Sequence, residues 1–96
     1  MAYLQEVQSV LKQLKPQLMS KYGVSSLGLF GSIVRDDFTE QSDIDIVVEF
    51  SCSIGIEFID LAEELEERLQ RKVDLVSKKG IKQHYLEVIE PEILYV

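Results

Sequence analysis

Apolar residues in this chain recur with two different periods, and the order in which the periods alternate limits the fold. Leu4, Val7, Leu11, Leu14 and Leu18 stand three and four apart, the spacing of one helix face over residues 3–22. That stripe is expected to cover a sheet. Pro16 interrupts it and predicts a kink or an early end, and Gly23 is the stop signal. Residues 24–31 then read as a first strand, closed by Gly31-Ser32 and a short helical turn through Arg35, with a polar loop over 36–41. Residues 43–50 read as a second strand, placing Ile44, Ile46, Val48 and Phe50 on one face and Asp43, Asp45, Val47 and Glu49 on the other. Helical spacing returns over 56–70, where Phe58, Leu61, Ala62, Leu65 and Leu69 make a stripe. On that helix Glu64 with Arg68, and Glu67 with Arg71, stand in the favourable order for pairs four apart. Residues 72–76 read as a third strand, with Val73 and Leu75 facing opposite to Asp74. A last helix is expected over about 80–89, ended by Pro91, with a short edge strand over 93–96. This succession predicts an α+β domain over residues 1–96 in which helices pack on one sheet.

Size and charge then bound the function. A chain of 96 residues has no room for a catalytic domain and a separate substrate domain. An acceptor would be a small molecule, or a macromolecule that brings its own binding surface. The formal net charge of −7 repels nucleic-acid phosphates, and the one basic cluster, Lys78, Lys79 and Lys82, reads as a solvated helix start. A general DNA or RNA binder is therefore disfavoured. Cys52 is the only cysteine, which excludes an internal disulfide and a multi-cysteine zinc site and leaves it a packing or incidental role. No apolar run approaches a bilayer span and no signal pattern opens the chain, so a cytoplasmic protein is expected. His84, the lone histidine, reads as a surface residue, and the tyrosines at 3, 22, 85 and 95 show no pattern of modification.

The chemistry concentrates between Gly31 and Asp45. Asp is depleted in strands, yet Asp43 and Asp45 share one face of an apolar strand, and Asp74 lies inside another. Two charges about 5 Å apart at an effective dielectric near 20 repel by roughly 3 kcal/mol, so such a group needs raised pKa values or a cation. Oxygen-only ligands favour a hard ion such as Mg²⁺, and paired carboxylates with a third alongside suit a two-metal site. A solvated sheet face is the other reading, and Glu49 on the same face supports it. Gly31-Ser32 offers backbone N–H groups to a phosphate, with no Cβ at Gly31 to hold it off. The Ser32 hydroxyl can touch that phosphate or only cap the turn. Arg35, three residues on, can hold a phosphate or pair with an acidic neighbour.

Gly31-Ser32, Arg35, Ser42-Asp43-Ile44-Asp45 and the later Asp74 in Lys72-Val73-Asp74-Leu75-Val76 together resemble the signature of the polymerase-beta-like nucleotidyltransferase superfamily. Among its branches the chain looks like the minimal nucleotidyltransferases, over nearly its whole length. The resemblance implies the nucleotidyltransferase fold, a mixed sheet of three to four strands flanked by helices. It implies that Gly31, Ser32, Arg35 and Ser42 bind the nucleoside triphosphate, ATP. It implies that Asp43 and Asp45 ligate Mg²⁺, as two ions with Asp74 the third acid near the acceptor hydroxyl. Such proteins are partnered with HEPN-domain toxins, which they neutralise as antitoxins, in some pairs by moving AMP to a toxin tyrosine. Neutralisation by binding alone, and transfer to a small molecule or an RNA end, are the competing functions; oligomeric state is left open. Family members often carry Gly after the motif arginine. This chain has Asp36, and Asp36 with Asp37 adds negative charge beside the expected triphosphate site.

Overall fold

The computed structural model describes residues 2–35 and 37–96. The leucine stripe forms α1, Ala2–Tyr22, which buries Val7, Leu11, Leu14, Leu18 and Tyr22. The helix continues through Pro16 instead of ending there. Pro16 is exposed, as is Lys12, whose carbonyl loses its N–H partner to the proline. Gly23, with φ +73°, closes the helix by donating its N–H to Met19 O at 3.1 Å.

Four strands follow: β1 Val24–Phe30, β2 Ile44–Phe50, β3 Val73–Ser77 and β4 Leu94–Tyr95. Between β2 and β3 runs α2, Glu57–Leu69, and between β3 and β4 runs α3, Gln83–Ile89. The sheet order is β3-β2-β1-β4, with β1 antiparallel to both β2 and β4, and β2 parallel to β3. The mixed sheet and its helices bear out the expected architecture, and element bounds differ from the sequence reading mostly by one or two residues. The largest difference is at α3, which starts at Gln83 because Lys78–Gly80 forms a separate 3-10 turn and Ile81 is extended.

The two sheet faces are covered unequally. Leu27 and Leu29 of β1 and Ile44, Ile46 and Val48 of β2 meet the stripes of α1 and α2 in the larger core, where Leu11, Leu18, Leu61 and Leu65 are fully buried. Each such side chain contributes roughly 1.5–3 kcal/mol on burial. The other face carries a small cluster, Phe30, Val47, Ile89 and Ile93, with Val76, Ile81 and Leu86 against it. Gly28 admits β4 there: a Cβ on it would stand 2.6 Å from Ile93 Cγ2.

Several surface pairings depart from the sequence reading. Glu64 does not act mainly through Arg68 but binds Lys21 Nζ at 3.0 Å and accepts from Tyr22 OH at 2.8 Å, tying α2 to α1. Those partners hold its carboxyl below the usual range, the Lys21 hydrogen bond first. Lys78 is not a solvated helix start. Its ammonium donates to Glu90 at 2.8 Å and Tyr95 OH at 2.9 Å, which raises its pKa, and stands 3.8 Å from Glu49. Cys52 is free and exposed, with its sulfur beside Gly23, and His84 is exposed as expected. Among the described residues no helix is long and apolar enough to cross a membrane.

Candidate active site

The topology brings three chain segments to one end of the sheet. Because β1 and β2 are antiparallel, β1 ends where β2 begins; because β3 is parallel to β2, it begins there too. The register pairs Phe30 with Asp45, and Asp45 with Asp74. The two carboxylates therefore stand side by side on the face that α3 covers only in part. Gly31 follows Phe30 and opens a 3-10 turn, Gly31–Ile33, whose carbonyl receives the N–H groups of Val34 at 3.1 Å and Arg35 at 3.2 Å.

Gly31 is needed twice over. Its φ of +77° lies in the left-handed region. A Cβ there would also collide with Asp45 Oδ2. The bend is thus closed directly over the carboxylate. Phe30, Gly31, Arg35, Asp45, Asp74 and Tyr85 are among the residues that line a cleft of about 260 Å³ at this end.

Burial is the main cause that pushes the Asp45 carboxyl up, to about 6; the charges of Asp74 and then Asp43 push the same way, and Arg35 opposes them. Two carboxylates at facing positions, one partly desolvated, form a site that favours a cation. Asp43, one residue before β2, is exposed and outside the cleft wall. Among the described residues no three His, Cys, Asp or Glu side chains gather closely enough to hold an ion as they stand. The donor set itself, carboxylate oxygens beside a Cβ-free bend, fits a hard divalent ion rather than zinc or copper.

The remaining expected residues divide. Arg35 stands on the cleft wall, with Nε 3.5 Å from Asp37 and Nη1 3.4 Å from Glu92, so the pairing expected as one of its two roles is present. Ser32 is half-buried in the turn and outside the cleft wall. The turn is preceded by Phe30 and has no side-chain cap, so of its two expected roles Ser32 does not fill that of cap. Ser42 is turned to its own loop, where its hydroxyl accepts from Thr39 N at 3.0 Å. Asp36 lies outside the described residues. Glu49, which favoured a solvated face, is at the far end of β2 and accepts from Ser26 Oγ at 2.8 Å. A roomier groove of about 690 Å³, lined by Glu49, Cys52, Phe58, Ser77 and Lys78 among others, lies at that far end, away from the carboxylate pair.

Sequence reading missed Tyr85 and Glu92 as cleft residues, and it missed Arg71. Tyr85 and Glu92 reach the cleft only through the way α3 folds back over β1, which no local pattern records. Arg71 was assigned to Glu67; its guanidinium instead donates to the carbonyls of Thr39 at 2.9 Å, Glu40 at 3.0 Å and Ser42 at 2.9 Å.

The mixed sheet, with paired carboxylates beside a glycine bend, has counterparts among known proteins, and these give its class. The family profile described as "Nucleotidyltransferase domain" matches residues 11–96. A Methanocaldococcus jannaschii protein provisionally named a protein adenylyltransferase is 43% identical over 100 residues, covering 100% of both chains. The protein adenylyltransferase MntA of Thermococcus cleftensis is 39% identical over 97 residues, covering 100% of this chain and 98% of its own. A solved structure provisionally described as a minimal nucleotidyltransferase superposes with a TM-score of 0.80 at 26% identity, covering 95% of this chain and 93% of that one. The MNT antitoxin complex with a tri-AMPylated Shewanella oneidensis HEPN toxin contains a chain of the same fold, with a TM-score of 0.67 at 23% identity, covering 93% and 70%. The chain belongs to the nucleotidyltransferase domain family, and its enzyme class is nucleotidyltransferase.

Proposed function

We propose that the chain moves AMP from ATP to a hydroxyl of a protein partner, a tyrosine of a HEPN toxin, and thereby acts as an antitoxin. The observation that carries this reading is the Asp45–Asp74 register beside Gly31. The relatives named as protein adenylyltransferases and the AMPylated HEPN complex of a protein of this fold support the donor and the partner.

In this reading Gly31 and Ser32 receive the triphosphate at the bend that closes over the Asp45 carboxylate. Arg35, on the wall of the same cleft, supplies positive charge while Glu92 and Asp37 hold it in place. Ser42 acts through its loop. Asp43 and Asp45, with Asp74 as the third acid, would hold Mg²⁺, which would supply positive charge to the triphosphate. Asp74, exposed on the strand beside Asp45, takes the proton of the acceptor hydroxyl. The acceptor oxygen bonds to the α-phosphorus, the bond to the bridging oxygen breaks, and pyrophosphate leaves. The chain's part is to position groups and to neutralise charge.

The test mixes the protein with a HEPN-domain protein as candidate partner, Mg²⁺ and α-labelled ATP. Label on a partner tyrosine, located by mass spectrometry and lost with Asp43→Asn or Asp45→Asn, is the expected result. Neutralisation of the toxin without label, unchanged in both variants, would replace this reading with inhibition by binding alone.

A further inference from the structure

We infer that Arg71 is a positioning residue for the carboxylates: its guanidinium clamps the 39–42 loop, and so the start of β2, against the start of β3. The inference rests on the reading of the site given above.

One guanidinium nitrogen, Nη2, donates to the carbonyls of Thr39 at 2.9 Å, Glu40 at 3.0 Å and Ser42 at 2.9 Å. The guanidinium carbon lies 4.9 Å from the Phe38 ring centre and 5.7 Å from that of Tyr3, and those rings stack with centres 5.5 Å apart. Arg71 is therefore held by α1, by the loop and by its own place just ahead of β3. The loop is closed on itself as well: Ser42 N donates to Thr39 O at 3.1 Å, and Ser42 Oγ accepts from Thr39 N at 3.0 Å. One residue beyond Asp43 the ladder takes over, with Ile44 N donating to Lys72 O at 2.9 Å. Asp43 thus stands between a clamped residue and a sheet residue, although it is exposed and precedes the strand. Arg71 itself lies three residues ahead of Asp74.

The three carbonyls share the two N–H groups of Nη2, and the flat guanidinium also lies over the Phe38 ring, a contact the compact ammonium of a lysine would not reproduce. The clamp costs the loop freedom, and the same loop without it would let Asp43 swing. Carboxylate ligands that are displaced by about 1 Å lose much of their hold on an ion, and supporting groups of this kind are worth about 10–100-fold in metal affinity. Ser42 then serves through this loop closure.

The experiment compares wild type, Arg71→Met and Arg71→Lys by three readouts: hydrogen–deuterium exchange of the amides over 39–44, Mn²⁺ affinity by electron paramagnetic resonance, and kcat and KM for transfer. Arg71→Met is expected to keep the wild-type circular dichroism spectrum and to exchange faster over 39–44 but not in α2. It should bind Mn²⁺ about tenfold more weakly and lose kcat with little change in acceptor KM. Arg71→Lys is expected to fall between. A folded Arg71→Met with wild-type exchange and Mn²⁺ affinity overturns the inference. If that variant does not fold, wild-type values for Arg71→Lys overturn it equally. Exchange needs neither metal nor turnover, so it judges the clamp even where Asp45→Asn binds Mn²⁺ like wild type, the outcome that would sink the reading of the site instead.

Discussion

Gly31 and Asp45 constrain each other. The left-handed backbone at Gly31, φ +77°, aims the chain so that its α-carbon rests over the Asp45 carboxylate, and any side chain there would have to displace that group. A β-carbon at such a φ costs roughly 1–2 kcal/mol before the collision is counted. Gly31→Ala is therefore expected to lower unfolding stability by about 2 kcal/mol and to abolish transfer, measured by urea denaturation and label incorporation. Asp45 gives a second prediction, in pH. Its folded pKa of about 6 lies above the ordinary 3.8, so the folded state binds the proton more tightly than the unfolded one. This contribution to stability is fully present below about pH 4 and is lost as pH rises through about 6. In chelator, Asp45→Asn is expected to be more stable than wild type at pH 7 by about 1–2 kcal/mol, less than the full linkage because the group is only half-buried and screened. The two proteins should converge near pH 4. Chemical denaturation across that range checks it.

At the scale of elements, α3 is the piece that turns a sheet end into a cleft, since its Tyr85 and Ile89 stand on the wall, with Ile81 just ahead of it. What moors α3 and β4 is Lys78, through Glu90 and Tyr95. Lys78→Met is expected to lower the thermal midpoint by a few degrees and to raise the KM for ATP. The difference in midpoint should shrink in about 1 M salt, because the acidic partners are part-exposed and such pairs are screened. Elements of this kind also mark what the sequence could tell. The strand alternation around Asp43–Phe50 and the leucine stripe of α1 are local patterns, and both were legible. The fate of Glu64 and Arg71 was not: each stands in a helical pair pattern, yet each binds a segment more than 25 residues away, Lys21 for one and the Thr39 carbonyl for the other. Pro16 misled for a related reason. Its effect depends on whether it faces water, which only the packing of α1 decides.

For the whole molecule, the governing fact is that one antiparallel and one parallel pairing place the end of β1 and the starts of β2 and β3 together. That convergence follows from the α2 crossover and the register it sets, neither of which the spacing of Asp43, Asp45 and Asp74 could reveal. The family signature singled out these residues by likeness, and the fold shows how Gly31, Asp45 and Asp74 come to one cleft. The cleft they share is small, about 260 Å³, and open to one side of the sheet. A chain with so little surface of its own leaves room for a partner to complete the acceptor side. The most direct test of the central claim is a crystal structure with a non-hydrolysable ATP analogue and Mn²⁺, read by anomalous scattering. The account predicts Mn²⁺ within coordination distance of Asp43 and Asp45, with the triphosphate against Gly31. Manganese absent from that end of the sheet, or the nucleotide lodged in the groove beside Glu49 and Lys78, would contradict it.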